Sequence, residues 1–508
     1  MAESKKAEPK QAVVLIHGMG DQVPMESIEG FVQAVWTSDE GLARQDQSHQ
    51  DDDAAASDQS DQSDAEADNP KANISWHKPD FITGSSELRR ITTPTGNGTG
   101  RVDFFEYYWA HLTAGSTISH FTSWFSGLLL RWPSQVPRDV IPTWIVLWVL
   151  VLAVAGLLGL SAFSTMFEVQ IWGLNAAAWA AISMGLGIVG KFLADKLLIS
   201  KFGDVARFVD VNPDNVATRM AIRDKGVKFL DSLIQSGRYD RLVVVAHSQG
   251  TIVAHDVLST LFAKYNRQFN SDKTGGLPQD ARDELEKVLK DALKGTGKLE
   301  PTEYQELQSK ALAEAQANGS KWIISDFVTL GSPLTHAEFL LARDKKGLEK
   351  KKEARLVATC PPTLESFSGE LGRRFTYNPG DEDPKAPRTP HHTALFAYTR
   401  WSNLYSPHKN ILWGDLISGP LAETMGMSSD GGSISGILDV PVLPDGKMNA
   451  VRKFIATAGH KRPFFSHTHY WDQSKGTEEK PDNVAVPHHI DQLRRAVNLQ
   501  RKPKPFDN

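Results

Sequence analysis

The chain has 508 residues, and its 56 lysines and arginines against 61 aspartates and glutamates give a formal net charge of −5 at pH 7. This modestly negative charge, without a basic stripe, argues against nucleic acid as a partner. The single cysteine, Cys360, excludes a disulfide within the chain and fits a reducing compartment. The polar N-terminal segment has no apolar signal core, and the length leaves room for a large core with insertions.

The first predicted strand covers residues 12–16, an apolar run that leads into His17, Gly18, Met19 and Gly20. A glycine-rich turn after a strand is either an ordinary connection or a phosphate-binding loop. A nucleotide-binding loop is disfavoured because no lysine followed by serine or threonine comes next.

Three further segments precede the longest apolar runs. Residues 46–70 repeat Asp, Gln, Ser and Ala and predict a disordered acidic loop. Residues 101–109 predict a strand that rejoins the sheet. Residues 118–132 mix aromatic residues, leucines and small polar residues. This mixture predicts a segment in the membrane interface or, as the alternative, a helix that faces the core.

Two apolar runs, at residues 140–166 and 171–190, contain no charged side chain. Each is long enough to cross the hydrocarbon core, which takes about 20 residues, although a pair of buried core helices is the alternative. The link between the runs carries Glu168 and no lysine or arginine. The flanking cations are Arg131, Arg138, Lys191, Lys196 and Lys201. The positive-inside tendency therefore predicts a transmembrane hairpin over residues 140–190, with both ends in the cytosol.

The stretch that begins at Arg241 contains a largely β-branched apolar run, residues 242–245, which continues into Ala246, His247, Ser248, Gln249 and Gly250, and a helix-like segment follows. This pattern predicts a strand, a sharp turn with a serine at its apex, and a helix. Such a turn needs small residues two positions from the apex, which here are Ala246 and Gly250. The hydroxyl then stands at a helix N-terminus, where partial positive charge suits an oxyanion. The alternative is a serine that merely caps the helix.

Residues 269–320 form a charged insertion in which apolar residues recur at helical spacing. The stripe consists of Leu285, Val288, Leu289, Ala292 and Leu293. The insertion is either a lid over a site or a helical hairpin on the surface. Residues 345–352 form a basic cluster, which is either a solvated face or a contact with anionic lipid headgroups.

The next predicted strand, residues 322–330, ends in a turn that contains Ser332, and another strand at residues 401–405 precedes a loop with Asp415. Near the C-terminus lie His467 and His469. Two histidines without nearby carboxylate or cysteine ligands make a poor zinc site.

Together these motifs resemble the α/β-hydrolase family of serine esterases and lipases. The resemblance covers four motifs between residues 13 and 467, and Ala246 departs from the usual first glycine of the elbow. It implies an α/β-hydrolase fold, a mostly parallel sheet flanked by helices, with the transmembrane hairpin and a lid-like helical insertion added.

The resemblance also implies roles for individual residues. The nucleophile is Ser248, the base His467 with His469 as its alternative, and the acid Asp415 with Asp439 and Asp326 as competitors. The backbone amides of Met19 and Gln249 form the oxyanion hole. Supporting motif positions are His17, Gly18, Gly20, His247 and Gly250. No metal or organic cofactor is expected.

The expected organisation is one hydrolase domain, formed by residues 1–139 and 191–508, into which residues 140–190 insert a membrane hairpin. The expected function is hydrolysis of lipid or other acyl esters at the bilayer by a catalytic domain that faces the cytosol. The alternatives are a non-catalytic membrane-bound scaffold and a deacylase of lipidated proteins. Glycosylation at Asn73, Asn97 or Asn318, which lie in sequons, would contradict the cytosolic placement.

Overall fold

The computed structural model describes most of the segments that carry the predicted motifs. The described residues are 10–18, 23–39, 42, 73–84, 88–95, 100–113, 130–136, 213–269, 279–366, 373–377, 388–407, 415, 417–429, 432–443, 466–472 and 489–500, with isolated residues between 141 and 185. The predicted acidic loop at 46–70, Met19, Gly20 and most of the predicted hairpin lie outside them.

An eight-stranded sheet forms the centre of the fold, in the order β8-β7-β6-β5-β1-β4-β3-β2. Its strands are β1 (Lys10–Ile16), β2 (Trp76–Pro79), β3 (Arg89–Thr92), β4 (Arg101–Tyr107), β5 (Arg241–His247), β6 (Ile324–Leu330), β7 (Arg400–Tyr405) and β8 (Leu438–Pro441). The six strands from β8 to β4 pair in parallel, and β2 and β3 complete the sheet in antiparallel pairing. The prediction of a mostly parallel α/β sheet is confirmed.

Helices cover both faces of this sheet. The described helices are α1 (Glu26–Val32), α2 (Pro213–Gln235), α3 (Gly250–Tyr265), α4 (Asp280–Leu293), α5 (Pro301–Ala317), α6 (Ala337–Leu340), α7 (Lys345–Glu353), α8 (Ala422–Met425) and α9 (His489–Val497). Strand side chains alternate between two apolar layers, so that Val13 packs with α1 and α9 while Val14 packs with α2 and α3. The central strands are therefore buried along nearly their whole length, as their apolar runs predict.

The predicted helical insertion contains α4 and α5. Leu285 and Leu289 of its apolar stripe are fully buried in the core. The Tyr304 hydroxyl donates to the Phe396 carbonyl oxygen at 2.7 Å, and the Gln308 amide donates to the same oxygen at 2.6 Å. Helix α5 is thus attached to the segment that leads into β7.

Within the described parts of the chain, no helix has the length and apolar character needed to span a bilayer. The isolated residues described between 141 and 185 have helical backbone. Several of them carry exposed apolar side chains, namely Ile145, Val149, Leu152, Phe163 and Met166.

The strand order reverses direction beside β1. The chain passes from β1 to β4 on one side, and it returns to β5 on the other side of β1. In open α/β sheets, such a reversal leaves a crevice at the carboxyl ends of the two strands, where ligands bind. His17 follows β1 and Ser248 follows β5, so both lie at this crevice.

Candidate active site

Ser248 lies at a sharp turn between β5 and α3. Its φ angle of 52° is in the left-handed region, which non-glycine residues rarely adopt. Gly250 begins α3 so close to β1 that a Cβ atom there would lie 2.3 Å from the His17 carbonyl oxygen. Ala246 is fully buried beneath the turn. Small side chains at positions 246 and 250 therefore allow the backbone to present the serine at the end of the sheet.

The Ser248 hydroxyl is hydrogen-bonded to an imidazole, which in turn is hydrogen-bonded to a carboxylate. The distance from Ser248 Oγ to His467 Nε2 is 2.7 Å, and the distance from His467 Nδ1 to Asp415 Oδ2 is 2.8 Å. Asp415 fixes the proton of His467 on Nδ1, which leaves Nε2 free to accept the serine proton. The structure thus brings together the three side chains that the sequence predicted as nucleophile, base and acid.

Asp415 is ionised although its side chain is fully buried. Burial raises the pKa of a carboxyl group, but the charge of His467 and hydrogen bonds from His467, Ser418 and Tyr470 lower the pKa of Asp415 to about 2. The Tyr470 hydroxyl donates to Oδ2 at 2.8 Å, and the Ile417 N–H donates to Oδ1 at 2.9 Å. Because the folded pKa is depressed, Asp415 contributes stability above about pH 4, and that contribution is lost as the pH falls towards 2.

Gly331, directly after β6, gives the acid and base room to meet. Its φ is +60°, and a Cβ atom there would lie 2.7 Å from the Tyr470 ring and 3.2 Å from both Asp415 Oδ2 and His467 Nδ1. The sequence predicted residue 331 only as part of the turn after β6. It predicted no role for Tyr470, which directly follows His469.

The loop after β1 approaches the serine from the other side. A Cβ atom on Gly18 would lie 3.0 Å from Ser248 Cβ. His17 holds this loop in place: its Nδ1–H donates to the Gly18 carbonyl at 2.7 Å, and its Nε2 accepts the Trp109 N–H at 3.0 Å. Burial lowers the pKa of His17 to about 4, so the imidazole is neutral near pH 7. The support from Trp109 was not predicted, because no local pattern links positions 92 residues apart.

The alternative candidates have other partners. His469 Nδ1 bonds Asp472 Oδ2 at 2.6 Å rather than the serine. Asp439 accepts the backbone N–H groups of Leu421 and Ala422, each at 3.0 Å.

Asp326 and Ser332 are likewise engaged elsewhere. Asp326 is buried against Arg241 and Arg400, which begin β5 and β7 at the opposite end of the sheet from Ser248. The Ser332 hydroxyl is hydrogen-bonded to Thr251 Oγ1 at 2.8 Å.

Comparison of the chain with protein-family models, curated proteins and solved structures gave no match. The functional assignment therefore depends on the geometry of the site. Among the described residues, no group of three or more His, Cys, Asp or Glu side chains could hold a metal ion.

His247 connects the nucleophile turn to the histidine loop. Its Nε2–H donates to the His467 carbonyl oxygen at 2.8 Å, and its ring packs edge-on against Trp471 with centroids 5.0 Å apart. Burial, together with the nearby His467, lowers the pKa of His247 to about 3. A neutral His247 can therefore hold His467 without opposing the positive charge that His467 acquires when it takes a proton.

We expect His247→Leu to slow the reaction of Ser248 with a fluorophosphonate probe roughly tenfold, because it removes a buried hydrogen bond that orients His467. The matched control is His255→Leu, which removes a similar bond from His255 Nε2 to the Ala358 carbonyl at 2.9 Å, away from the triad. The measurement is the labelling rate of folded protein. Equal rates in the two variants would show that His247 is only a packing residue.

Proposed function

We propose that this protein is a serine hydrolase of the α/β-hydrolase type, which cleaves carboxylic esters through an acyl-enzyme. The observation that carries the proposal is the hydrogen-bonded chain from Ser248 through His467 to buried Asp415. The left-handed backbone of the serine, at the junction of a strand and a helix, supports the same assignment.

In the acylation step, Ser248 Oγ attacks the ester carbonyl carbon while His467 Nε2 takes the hydroxyl proton. Asp415 stabilises the imidazolium that forms. The bond to the leaving alcohol then breaks, His467 returns the proton to that alcohol, and the acyl group remains on Ser248. A water molecule attacks this ester in the same way, which releases the carboxylic acid and restores the serine.

The negative charge on the carbonyl oxygen needs hydrogen-bond donors. We assign this role to the backbone amides of Gln249 and Met19. Gln249 directly precedes α3, whose N-terminal end carries partial positive charge. Gly18, the neighbour of Met19, lies beside Ser248.

The order of the motifs supports the resemblance to the α/β-hydrolase family. The nucleophile follows β5, the acid follows β7 and the histidine follows β8. The chain order Ser, Asp, His is the one that distinguishes this family from other serine hydrolases. Removal of any of the three groups would leave a scaffold, so the intact set favours an enzyme over a non-catalytic binding protein.

We further propose that residues 140–190 insert into a membrane as a hairpin, with the catalytic domain facing the cytosol. The two uncharged runs and the exposed apolar side chains at helical positions between 145 and 166 support this. Attachment to a bilayer raises the local concentration of lipid esters, which makes them the favoured substrate class. Acyl groups on lipidated proteins are the narrower alternative. Turnover rates measured with lipid esters and with acylated peptides as substrates would distinguish these two substrate classes.

Ser248→Ala should abolish labelling by a fluorophosphonate probe and ester hydrolysis, because it removes the nucleophilic oxygen. Ser332→Ala is the control, since that hydroxyl is buried against Thr251, and this variant should be labelled like wild type. Labelling that survives in Ser248→Ala contradicts the proposal. If folded wild-type protein does not react with the probe, the result favours the alternative of a non-catalytic scaffold.

His467→Ala should lower ester hydrolysis by roughly 10⁴-fold or more, because members of a triad act as a unit. His469→Ala should leave hydrolysis nearly unchanged, since His469 is paired with Asp472. Steady-state hydrolysis of a short-chain ester measures both. A larger loss in the His469 variant would show that His469, and not His467, is the base.

Replacement of residues 140–190 by a short Gly-Ser bridge should release the protein from membranes, because it removes both uncharged runs. Deletion of residues 46–70 is the control and should leave the protein in the membrane pellet. The measurement is the fraction of the protein that remains in the membrane pellet after an alkaline wash. Retention of the bridged protein in the washed membranes would place the anchor elsewhere.

A further inference from the structure

The basic helix α7 follows, after a short connection, the strand β6 that ends beside the candidate active site. β6 ends beside the triad at Gly331, and the chain continues through α6 to α7. The connecting segment packs beside the loop of the acid, because the Thr335 hydroxyl donates to the Pro420 carbonyl at 3.0 Å. α7 therefore belongs to the carboxyl end of the sheet, where Ser248 lies.

The segment that precedes the proposed hairpin is attached to the start of this helix. Arg131 Nη1 donates to the Arg343 carbonyl oxygen at 3.2 Å. Its guanidinium carbon also lies 4.4 Å from the centre of the Phe339 ring, a cation–π contact. The neighbours of Arg131 in the chain, Leu130 and Trp132, are 70% and 75% exposed. The contacts of the half-buried Arg131 thus hold two large, exposed apolar side chains beside α7.

Positive charge dominates the exposed side chains at the start of α7. Arg343, Lys345, Lys346 and Lys350 are exposed. Two nearby acids are engaged within the protein: Asp344 accepts the Gly347 N–H at 2.7 Å, and Glu349 pairs with Lys352 at 2.9 Å and with the Ser428 hydroxyl. A third acid, Glu353, is exposed at the opposite end of α7 from Lys345 and Lys346. This local excess of cations contrasts with the net charge of −5 for the whole chain.

We propose that these residues form a docking surface for an anionic lipid bilayer. The surface consists of Leu130, Trp132, Arg343, Lys345, Lys346 and Lys350, and we call it the basic–aromatic surface. Tryptophan and leucine enter the interface between headgroups and acyl chains, and lysines beside them are attracted to anionic headgroups. The inference deepens the proposed membrane attachment and rests on it: a hairpin holds the chain at the bilayer, and this surface turns the site end of the sheet towards the headgroups.

The test places an environment-sensitive fluorophore at position 356. Leu356 follows α7 and is 73% exposed, so Leu356→Cys offers an accessible thiol, whereas the native Cys360 is fully buried. The full-length labelled protein is reconstituted with phosphatidylcholine vesicles, with or without phosphatidylglycerol. We expect a blue shift of emission only when phosphatidylglycerol is present, and we expect added salt to reverse it.

Charge removal provides the matched comparison. The variant Lys345→Gln, Lys346→Gln, Lys350→Gln should lose the blue shift. The control Lys287→Gln, Lys294→Gln, Lys310→Gln removes the same charge from exposed positions on or beside α4 and α5 and should keep it. The basic–aromatic surface is overturned as a docking site if both variants behave alike or if the shift is independent of phosphatidylglycerol. A shift that grows with protein concentration without vesicles would instead identify a second copy as the occupant.

The same spectra in a Ser248→Ala background separate this inference from the proposed chemistry. Binding needs no turnover, so the blue shift should persist in that background. A chain that hydrolyses esters but shows no shift contradicts the surface alone. A chain that shows the shift but never reacts with the fluorophosphonate probe contradicts the hydrolase alone.

Discussion

The close approach of α3 to the end of β1 is the constraint on which the site depends. At Gly250 the helix begins where even a methyl group would collide with the His17 carbonyl. This contact pulls the first turn of α3 towards β1 and forces Ser248 into its left-handed conformation. The cost of that strained backbone is balanced by burial of β5 and α3 in the apolar layers on the two faces of the sheet. The core beneath the turn thus fixes Ser248, which is itself only 1% exposed, at the carboxyl end of the sheet beside His467.

Burial of a carboxylate imposes a second requirement. An ionised side chain without contact with water costs several kcal/mol unless charge and hydrogen bonds compensate for it. For Asp415 the compensation comes from His467 and from donors on both sides of the carboxylate, including Tyr470. The same contacts attach the segment of residues 466–472 to the sheet. His247 adds a further bond to this segment from the turn of the nucleophile. The interactions that stabilise the charge are thus also those that place the base beside the serine.

Sequence patterns predicted the central strands because parallel strands buried on both faces are continuous apolar runs. Residues 12–16 and 242–246 are such runs, and the turn after each carries small residues that allow a sharp change of backbone direction. By contrast β2 is short and largely exposed, so it has neither the length nor the alternation that predicts a strand.

The sequence alone did not decide between Asp415 and Asp439 as the acid, because both residues follow the last predicted strand, residues 401–405. What distinguishes them is the partner that each side chain meets. Asp415 meets an imidazole 52 residues away, and Asp439 meets the backbone at Leu421. Tyr470 and Trp109 escaped prediction for the same reason, since their hydrogen bonds join positions that only the folded sheet brings together. Parallel strands carry all their carboxyl ends to one edge, so loops that are distant in sequence must converge there. This convergence brings the nucleophile, the base and the acid together. It also explains why α7 and the segment around Arg131 lie at the same edge of the sheet as Ser248, the edge that the proposed docking surface would turn towards a bilayer.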